Sequence, residues 1–295
     1  MSTGAQQQPD RTAERTGAEP TMPVADVAGW WSTGISRIAP GEIELRGYPV
    51  QDLIAGATFA ETVWLLLRGE LPDPARAALL EAALVASVDH GPQAPSIAAA
   101  RMAATCGVGL NNAVATGVNL LGDVHGGAGQ QCMGVLADIA GRTAAGADPD
   151  EAAEAVVAEH RAERRHVPGF GHRFHPNDPR RDPLLRRIAD AAADGLVGGA
   201  ALAAAEALER ALARGRARPV PMNIDGATAV VYAELGFAPE LGRGLFVLSR
   251  SVGILAHAWE QTGEGARIKG PLPRSVLPGY TGPPTRRHQG GTGDR

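Results

Sequence analysis

Cysteine is nearly absent. Cys106 and Cys132 are the only two in 295 residues, which excludes a disulfide framework. Both lie in apolar, small-residue stretches, the setting of buried thiols in a reducing cytoplasm. No run reaches the ~18 uninterrupted apolar residues that a membrane-spanning helix needs, because the greasy segments are cut by Arg, Glu or Gly. The segment from Met1 to about Met22 has no apolar core of the kind a secretory signal carries. A cytoplasmic protein is therefore expected. Neither sign of charge dominates: a formal net charge of -4 offers nothing to attract nucleic acid or an anionic membrane. Small metabolites are the expected partners. β-branched runs are few, and only Glu42–Tyr48 alternates as a strand does, which predicts a small hairpin and no organising sheet.

What is abundant is apolar residue at helical spacing. Hydrophobic residues make up 44% of the chain, enough for a proper core. Thr58 and Glu61 form a capping box ahead of an apolar stripe of Phe59, Val63, Leu66 and Leu67 that stops at Gly69. Asp73-Pro74 opens a helix running through Leu80 and Leu84 toward Ser87, with proline in the first turn where its missing N–H is harmless. Asp182-Pro183 starts another through Leu184, Leu185 and Ile188 to Gly195. A further helix runs from Ala200 to Arg214 and ends at Gly215. The longest begins near Pro239 and continues through Leu241, Leu245, Leu248, Val252, Leu255 and Trp259; apolar on most faces, it is expected to be central and buried.

An all-α protein follows, and composition divides it. Residues 1–22 are expected to be a disordered tail. The stretch 142–221, richer in Arg, Asp, Glu and Ala than its flanks, reads as a small helical domain inserted into a large one made of 23–141 and 222–277. Residues 278–295, rich in Gly, Pro, Thr and Arg, read as a flexible C-terminal tail. A site shared by two such domains can close on its substrate.

The candidate chemistry lies in histidines set against glycine, His90-Gly91, His125-Gly126-Gly127 and Gly171-His172, and in the acid Asp225-Gly226. Glycine tolerates the sharp turns that bring backbone N–H groups and an imidazole to one small anion. Histidine with a carboxylate is equipped to move protons near neutral pH. Taken singly, each has an ordinary structural reading as well. Asp225 suits the N-cap of the helix that follows it, His125 a core histidine bonded to backbone, His90 a surface loop, and His257 and Glu260 polar marks on a long helix. His172 and His175 have a spacing open to metal. However, Pro168, Gly169, Gly171 and Pro176 oppose a helix that would aim both rings at one ion, and no cysteine or carboxylate joins them, so no metal site is expected.

In their order, these motifs resemble one family. Ile35-Ser36-Arg37-Ile38, Leu45-Arg46-Gly47-Tyr48-Pro49, Thr58-Phe59 and Gly69-Glu70-Leu71-Pro72 are similar to the opening of citrate synthases. His125-Gly-Gly-Ala128 is similar to a second active-site motif of the family, and Pro168-Gly-Phe-Gly-His-Arg173 with Asp178-Pro-Arg180 to a third. Asn223-Ile-Asp-Gly226 falls where the catalytic aspartate lies, and Ser249-Arg-Ser-Val-Gly253 with Ala256-His257 and Glu260-Gln261 resembles the helix behind it. The resemblance spans about Trp31 to Tyr280. Val88-Asp-His-Gly-Pro92 is shorter than the matching segment of most citrate synthases and, like Asn223-Ile-Asp-Gly226, resembles the citryl-CoA lyase module of ATP-citrate lyase. That module carries an aromatic residue where this chain keeps His125. The chain thus reads as a hybrid, most like the short bacterial citryl-CoA lyases. Lys269-Gly-Pro271 stands where the family has Arg-x-Pro, and Arg267 and Arg274 lie close enough in sequence to substitute.

The resemblance implies the all-α citrate synthase-like two-domain fold and carbon–carbon bond chemistry through an enolate of acetyl-CoA. The first expectation is cleavage of citryl-CoA to acetyl-CoA and oxaloacetate. The alternatives are a citrate or 2-methylcitrate synthase, and a non-catalytic homologue that binds CoA esters or citrate. Asp225 is implied as the base, or in cleavage the acid, at the acetyl carbon; His125 as the donor to the thioester oxygen; and His172 as the group that handles the oxaloacetate carbonyl or citryl hydroxyl. His90, Arg173 and Arg250 are implied to hold carboxylates. A homodimer is implied, with Lys269 or Arg274 reaching the neighbour's site. No cofactor is implied beyond the CoA thioester, which is substrate.

Overall fold

In this computed structural model the described residues are 24–171, 177–218, 220–265, 267–270, 275–276 and 278–286. The expected tail 1–22 lies outside them, as does 287–295 of the expected C-terminal tail; residues 278–286 form neither helix nor strand. The chain divides into two compact units, Met1–Pro72 and Asp73–Arg295.

The first unit contains α1 (Val24–Trp30), an antiparallel sheet in the order β1 (Ser36–Ala39), β2 (Glu42–Leu45), β3 (Tyr48–Pro49), then α2 (Val50–Gly56) and α3 (Phe59–Arg68). The alternating run Glu42–Tyr48 supplies β2, the turn and the start of β3. Arg46 and Gly47 both have positive φ (52° and 87°), the pair of left-handed residues that a two-residue hairpin turn requires. The sheet has one more strand than the expected hairpin because Ser36–Ala39 pairs on the far edge of β2. Arg46 ties this sheet to α3, donating from Nη2 to the Leu66 carbonyl at 2.8 Å and from Nη1 to that of Gly34 at 3.0 Å. The Thr58–Glu61 capping box is present in both directions. The buried face of α3 is Ala60, Val63, Trp64 and Leu65, whereas Phe59, expected inside, is 71% exposed and Leu67 is exposed as well. Turning α3 by a fraction of a turn buries the indole of Trp64, the largest apolar side chain on the helix, at the expense of the Phe59 ring.

The second unit comprises α4 (Pro74–Ser87), α5 (Pro95–Thr105), α6 (Leu110–Val118), α7 (Ala128–Ala144), α8 (Pro149–Ala162), α9 (Arg181–Ala193), α10 (Ala200–Ala213), α11 (Ile224–Glu234) and α12 (Pro239–Gly263). The starts expected from Asp73-Pro74 and Asp182-Pro183 and the helix from Ala200 are all present. The Asp73 carboxylate accepts from the Ala75 N–H at 2.8 Å. α10 has no side-chain cap of its own; Glu234, at the end of α11, accepts from Gly199, Ala201 and Leu202 N–H instead.

The central helix is α11, not α12. From Ile224 to Tyr232 every residue of α11 is buried except Asp225, and the helix packs against α4, α7, α9, α10 and α12. α12 buries one face only. Ile254 and Ala258 join Ile97, Ala100 and Ala113 in a cluster with α5 and α6, while Leu248, Val252, Leu255 and Trp259 are exposed, Trp259 at 66%. The face that α12 turns inward sets the large side chains of Leu245, Phe246 and Ile254 among small residues, Gly242, Ser249, Gly253 and Ala258, which let neighbouring elements approach closely. Of the two cysteines, Cys132 on α7 is buried as expected. Cys106 is exposed, because it caps the C-terminal end of α5 where that helix runs out into solvent. Among the described residues no helix is long and apolar enough to cross a membrane.

Candidate active site

The position of Asp225 is set by the turn in front of α11. Residues 169–171 run antiparallel to 221–223: the Gly171 N–H donates to the Pro221 carbonyl at 2.7 Å, and the Asn223 N–H to that of Gly169 at 3.0 Å. Two glycines permit this approach. A Cβ on Gly226 would overlap the Gly169 carbonyl, and one on Gly169, whose φ is +81°, would lie 2.9 Å from the Gly226 Cα. The N-cap of α11 is Asn223, not Asp225: its Oδ1 accepts from the N–H groups of Asp225 (2.9 Å) and Gly226 (3.3 Å), and its Nδ2 donates to the Gly171 carbonyl at 2.7 Å. Asp225 sits in the first helical turn, where the positive end of the helix favours a carboxylate.

A second tie comes from Asp178. Its carboxylate accepts from Arg180 Nε (2.9 Å) and Nη2 (2.8 Å), and from the backbone N–H groups of Arg180 and Ile224. Burial would push this carboxyl up; the Arg180 side chain and the backbone donors outweigh it and bring it down to about 2.

His125 stands in the turn before α7, half-buried. Its Nε2 accepts the Ser96 N–H at 3.2 Å and is 3.0 Å from Ser96 Oγ. Ser96 is the second residue of α5, a helix with no side-chain cap of its own, so the imidazole takes the place of one. With Nε2 accepting, the proton of the neutral ring is on Nδ1. Burial, and then the positive charge of Arg250, hold His125 below the ordinary histidine value, so it is neutral at pH 7.

Arg250 is the buried cation of the site. Its Nε donates to the Ser87 carbonyl at 3.0 Å, at the C-terminal end of α4, and its guanidinium carbon lies 4.8 Å from the centre of the Phe246 ring. Arg180 approaches the same helix end, with Nη1 3.5 Å from the Ala86 carbonyl. The negative end of α4 suits two guanidinium groups there. Burial draws Arg250 below its usual value and the like charge of Arg180 adds to this; the carboxylates of Asp225 and Asp89 act in the opposite sense. Beneath Asp225, the buried Cys132 thiol is pushed up to about 12, by burial first and the Asp225 charge second, so it stays protonated.

Of the residues singled out in the sequence, the electrostatics link His125, Asp225 and Arg250 in one region. His90 is exposed, in the turn that follows α4. His172, Arg173 and Arg274 lie outside the described residues, as does His175. Lys269 is elsewhere: its N–H donates to Thr105 Oγ1 at 2.8 Å and its Nζ to Gln261 Oε1 at 2.8 Å. Thr105 is at the opposite end of α5 from Ser96, roughly 14 Å along the helix axis. Arg180 and Asn223 were not among the candidates. The Asp178-Pro-Arg180 motif carried the signal for the first; for the second, an Asx residue two positions before an acid at a helix start is a cap signature. The site therefore offers a neutral imidazole donor, a half-buried carboxylate and two arginines, a set fitted to an anionic substrate with a carbonyl oxygen that gains charge.

Known proteins share this fold. Residues 72–272 match the family described as citrate synthase, C-terminal domain. The citryl-CoA lyase of Hydrogenobacter thermophilus superposes with a TM-score of 0.75 at 33% identity, over 87% of this chain and 96% of that one. The ATP citrate lyase of Methanothrix soehngenii, solved in complex with citrate and coenzyme A, has the same fold at 20% identity and a TM-score of 0.71, over 95% of this chain and 47% of that one. A citrate synthase from Acidithiobacillus ferridurans is 29% identical over 246 residues, which is 81% of this chain and 58% of that protein. The chain spans about half the length of the curated relatives it matches. The all-α fold is the one its motifs led us to expect, and on this footing the chain belongs to the citrate synthase family.

Proposed function

We propose that this protein cleaves citryl-CoA, or a closely related 3-hydroxy-3-carboxy acyl-CoA, to acetyl-CoA and oxaloacetate. The observation that carries this reading is the likeness to a citryl-CoA lyase at 33% identity, over 87% of this chain and 96% of that one; the enolate that cleavage requires has a donor in His125, whose Nε2 accepts the Ser96 N–H and leaves Nδ1–H to donate. A neutral donor matches an enolate oxygen better than a full cation would. In cleavage, His172 takes the proton of the citryl hydroxyl and the carbon–carbon bond breaks. Its electron pair moves into the thioester as an enolate, whose oxygen His125 stabilises. Asp225 then gives a proton to the enolate carbon, producing the acetyl methyl. Arg250, with His90 and Arg173, holds the carboxylates, and we add Arg180 because it shares the end of α4 with Arg250. The scheme uses only the chain's own side chains, with CoA as the carrier of the substrate.

The same reading assigns 142–221 to a small domain that closes on the large one, 23–141 with 222–277. It pairs two subunits, with Lys269 or Arg274 serving the neighbour's site. Two observations support that pairing: Lys269 is placed at the end of α5 away from Ser96, and α12 presents an exposed apolar row, Leu248, Val252, Leu255 and Trp259.

Condensation of acyl-CoA with oxaloacetate, the citrate or 2-methylcitrate synthase direction, is the second reading. The relatives named citrate synthase favour it. One sample separates the two. Under the first reading, purified protein releases oxaloacetate from citryl-CoA, while acetyl-CoA and oxaloacetate together yield little free thiol. CoA release that persists in steady state overturns the lyase in favour of the synthase. Turnover of none of citryl-CoA, acetyl-CoA or propionyl-CoA leaves the non-catalytic binder.

A further inference from the structure

We propose that Ser249 is a positioning residue: its hydroxyl closes the last turn of α4 and so fixes the backbone carbonyl that holds the Arg250 guanidinium. This rests on the functional reading above, which places Arg250 on a carboxylate of the substrate.

The last turn of α4 is short of backbone donors, as every helix end is. The Val88 N–H, which would continue the helix by bonding to the Leu84 carbonyl, bonds to that of Val85 instead, at 3.4 Å. Side chains from other elements take the remaining carbonyls. Ser249 Oγ donates to Leu84 at 2.5 Å, Arg180 Nη1 approaches Ala86 at 3.5 Å, and Arg250 Nε donates to Ser87 at 3.0 Å. Two neighbouring residues of α12 therefore grip one turn of α4. Ser249 Oγ also lies 3.1 Å from Ser87 Oγ, which is 2.8 Å from the Ala83 carbonyl, so the two hydroxyls extend the grip by a further turn. Ser87, Ser249 and Arg250 are all buried, where a lost donor is not simply replaced by solvent.

The direction of the Ser249 hydroxyl is itself informative. Serine and threonine inside a helix commonly bond to a carbonyl three or four residues back, as Ser251 does to Leu248 and Thr262 to Trp259, each at 2.6 Å. Ser249 reaches across to another helix instead. One turn further along the same face, Gly253 lies against the Val88 carbonyl, which a Cβ there would overlap. With Nε of Arg250 committed to the Ser87 carbonyl, a carboxylate is met by the terminal nitrogens, and their direction follows from where that carbonyl stands. Without the Ser249 hydroxyl the Leu84 carbonyl loses its donor. The end of α4 is then free to shift, and the acceptor of Arg250 shifts with it.

The test measures dissociation constants for oxaloacetate and, separately, for acetyl-CoA by calorimetry, with melting temperature as the control for folding. Ser249→Ala should weaken oxaloacetate about tenfold, the size of one lost hydrogen bond, and leave acetyl-CoA within about twofold. Ser249→Thr, which keeps the hydroxyl, should restore most of the affinity. Ser251→Ala, which removes a hydroxyl bonded within α12, should bind as wild type does. Should the alanine variant fail to fold, Ser249→Cys, which keeps the shape and offers only a weak donor, takes its place with the same expected split. Equal weakening of both ligands, no weakening of oxaloacetate, a loss as large in Ser251→Ala, or a threonine variant that melts as wild type yet binds as poorly as alanine overturns the proposal alone, because wild-type binding of oxaloacetate leaves the functional reading standing. A wild type that does not bind oxaloacetate overturns that reading and this proposal with it.

Discussion

Asp225→Asn should lower turnover about a thousandfold in either direction while leaving the fold and CoA-ester binding close to wild type. The size follows from the work assigned to the carboxyl. The methyl of a thioester is a very weak acid, and a positioned base or acid contributes about a hundred- to ten-thousandfold. That the fold survives follows from local structure. The cap of α11 is the Asn223 side chain, and the close approach to 169–171 belongs to Gly169 and Gly226. Asparagine at 225 keeps the volume and removes only the titratable oxygen. Because the Asp225 charge also acts on Arg250, its loss should tighten binding of a dicarboxylate slightly, so KM for oxaloacetate should fall or hold as kcat collapses. A variant retaining more than about a tenth of the wild-type rate would remove Asp225 from the proton-transfer step.

The second large effect is on stability. Asp178 is buried, and its carboxylate joins Arg180 to the first turn of α11. Breaking a buried pair by removing one partner costs about 3–5 kcal/mol, and Asp178→Asn should approach the lower end because Arg180 keeps some contact with solvent. The pH dependence has a definite sign. The folded carboxyl titrates at about 2, below its value of ~3.9 in an unfolded chain. Its ionised form therefore stabilises the folded state by roughly 2–3 kcal/mol above about pH 4, and that contribution is lost as the pH falls toward 2. Denaturant melts of wild type and variant should differ most near neutrality and converge in acid. A constant gap from pH 6 to pH 2 would show that another carboxylate sets the acid limb.

How far the sequence speaks for itself depends on the range of each interaction. The capping box at Thr58–Glu61 and the Asp-Pro start of α4 were legible because their partners lie within three residues. The cap of α10 was not, since Glu234 reaches it from over thirty residues away. The reading of α12 as buried all round failed for a related reason. Periodicity counted Leu248, Val252, Leu255 and Trp259 with Leu245 as one buried set, but those four point outward, while the packed face is Leu245, Phe246 and Ile254 with glycine, serine and alanine between them. At the site, the motifs identified His125, Asp225 and Arg250 by resemblance. That Asn223 caps α11 was within reach of local spacing, since the N–H groups it accepts from are two and three residues on; that Arg180 shares the end of α4 with Arg250 is a fact of three-dimensional approach, which one chain's spacing does not encode.

The turn in front of α11 also has a consequence in time. Asp225 is oriented by Asn223, Asp178 and the 169–171 backbone, so the order around it depends on closing loops of about fifty residues. Consecutive helices such as α5 and α6, which pack against each other across a short turn, need no such closure. On refolding from denaturant, far-ultraviolet helical signal should therefore return before catalytic activity, with the lag set by docking of residues 169–171 and of Asp178. Gly226→Ala, which obstructs that docking, should lengthen the lag more than it lowers the early helical signal. Asp225, the group proposed to transfer the proton, should thus be among the last parts of the chain to acquire its native surroundings.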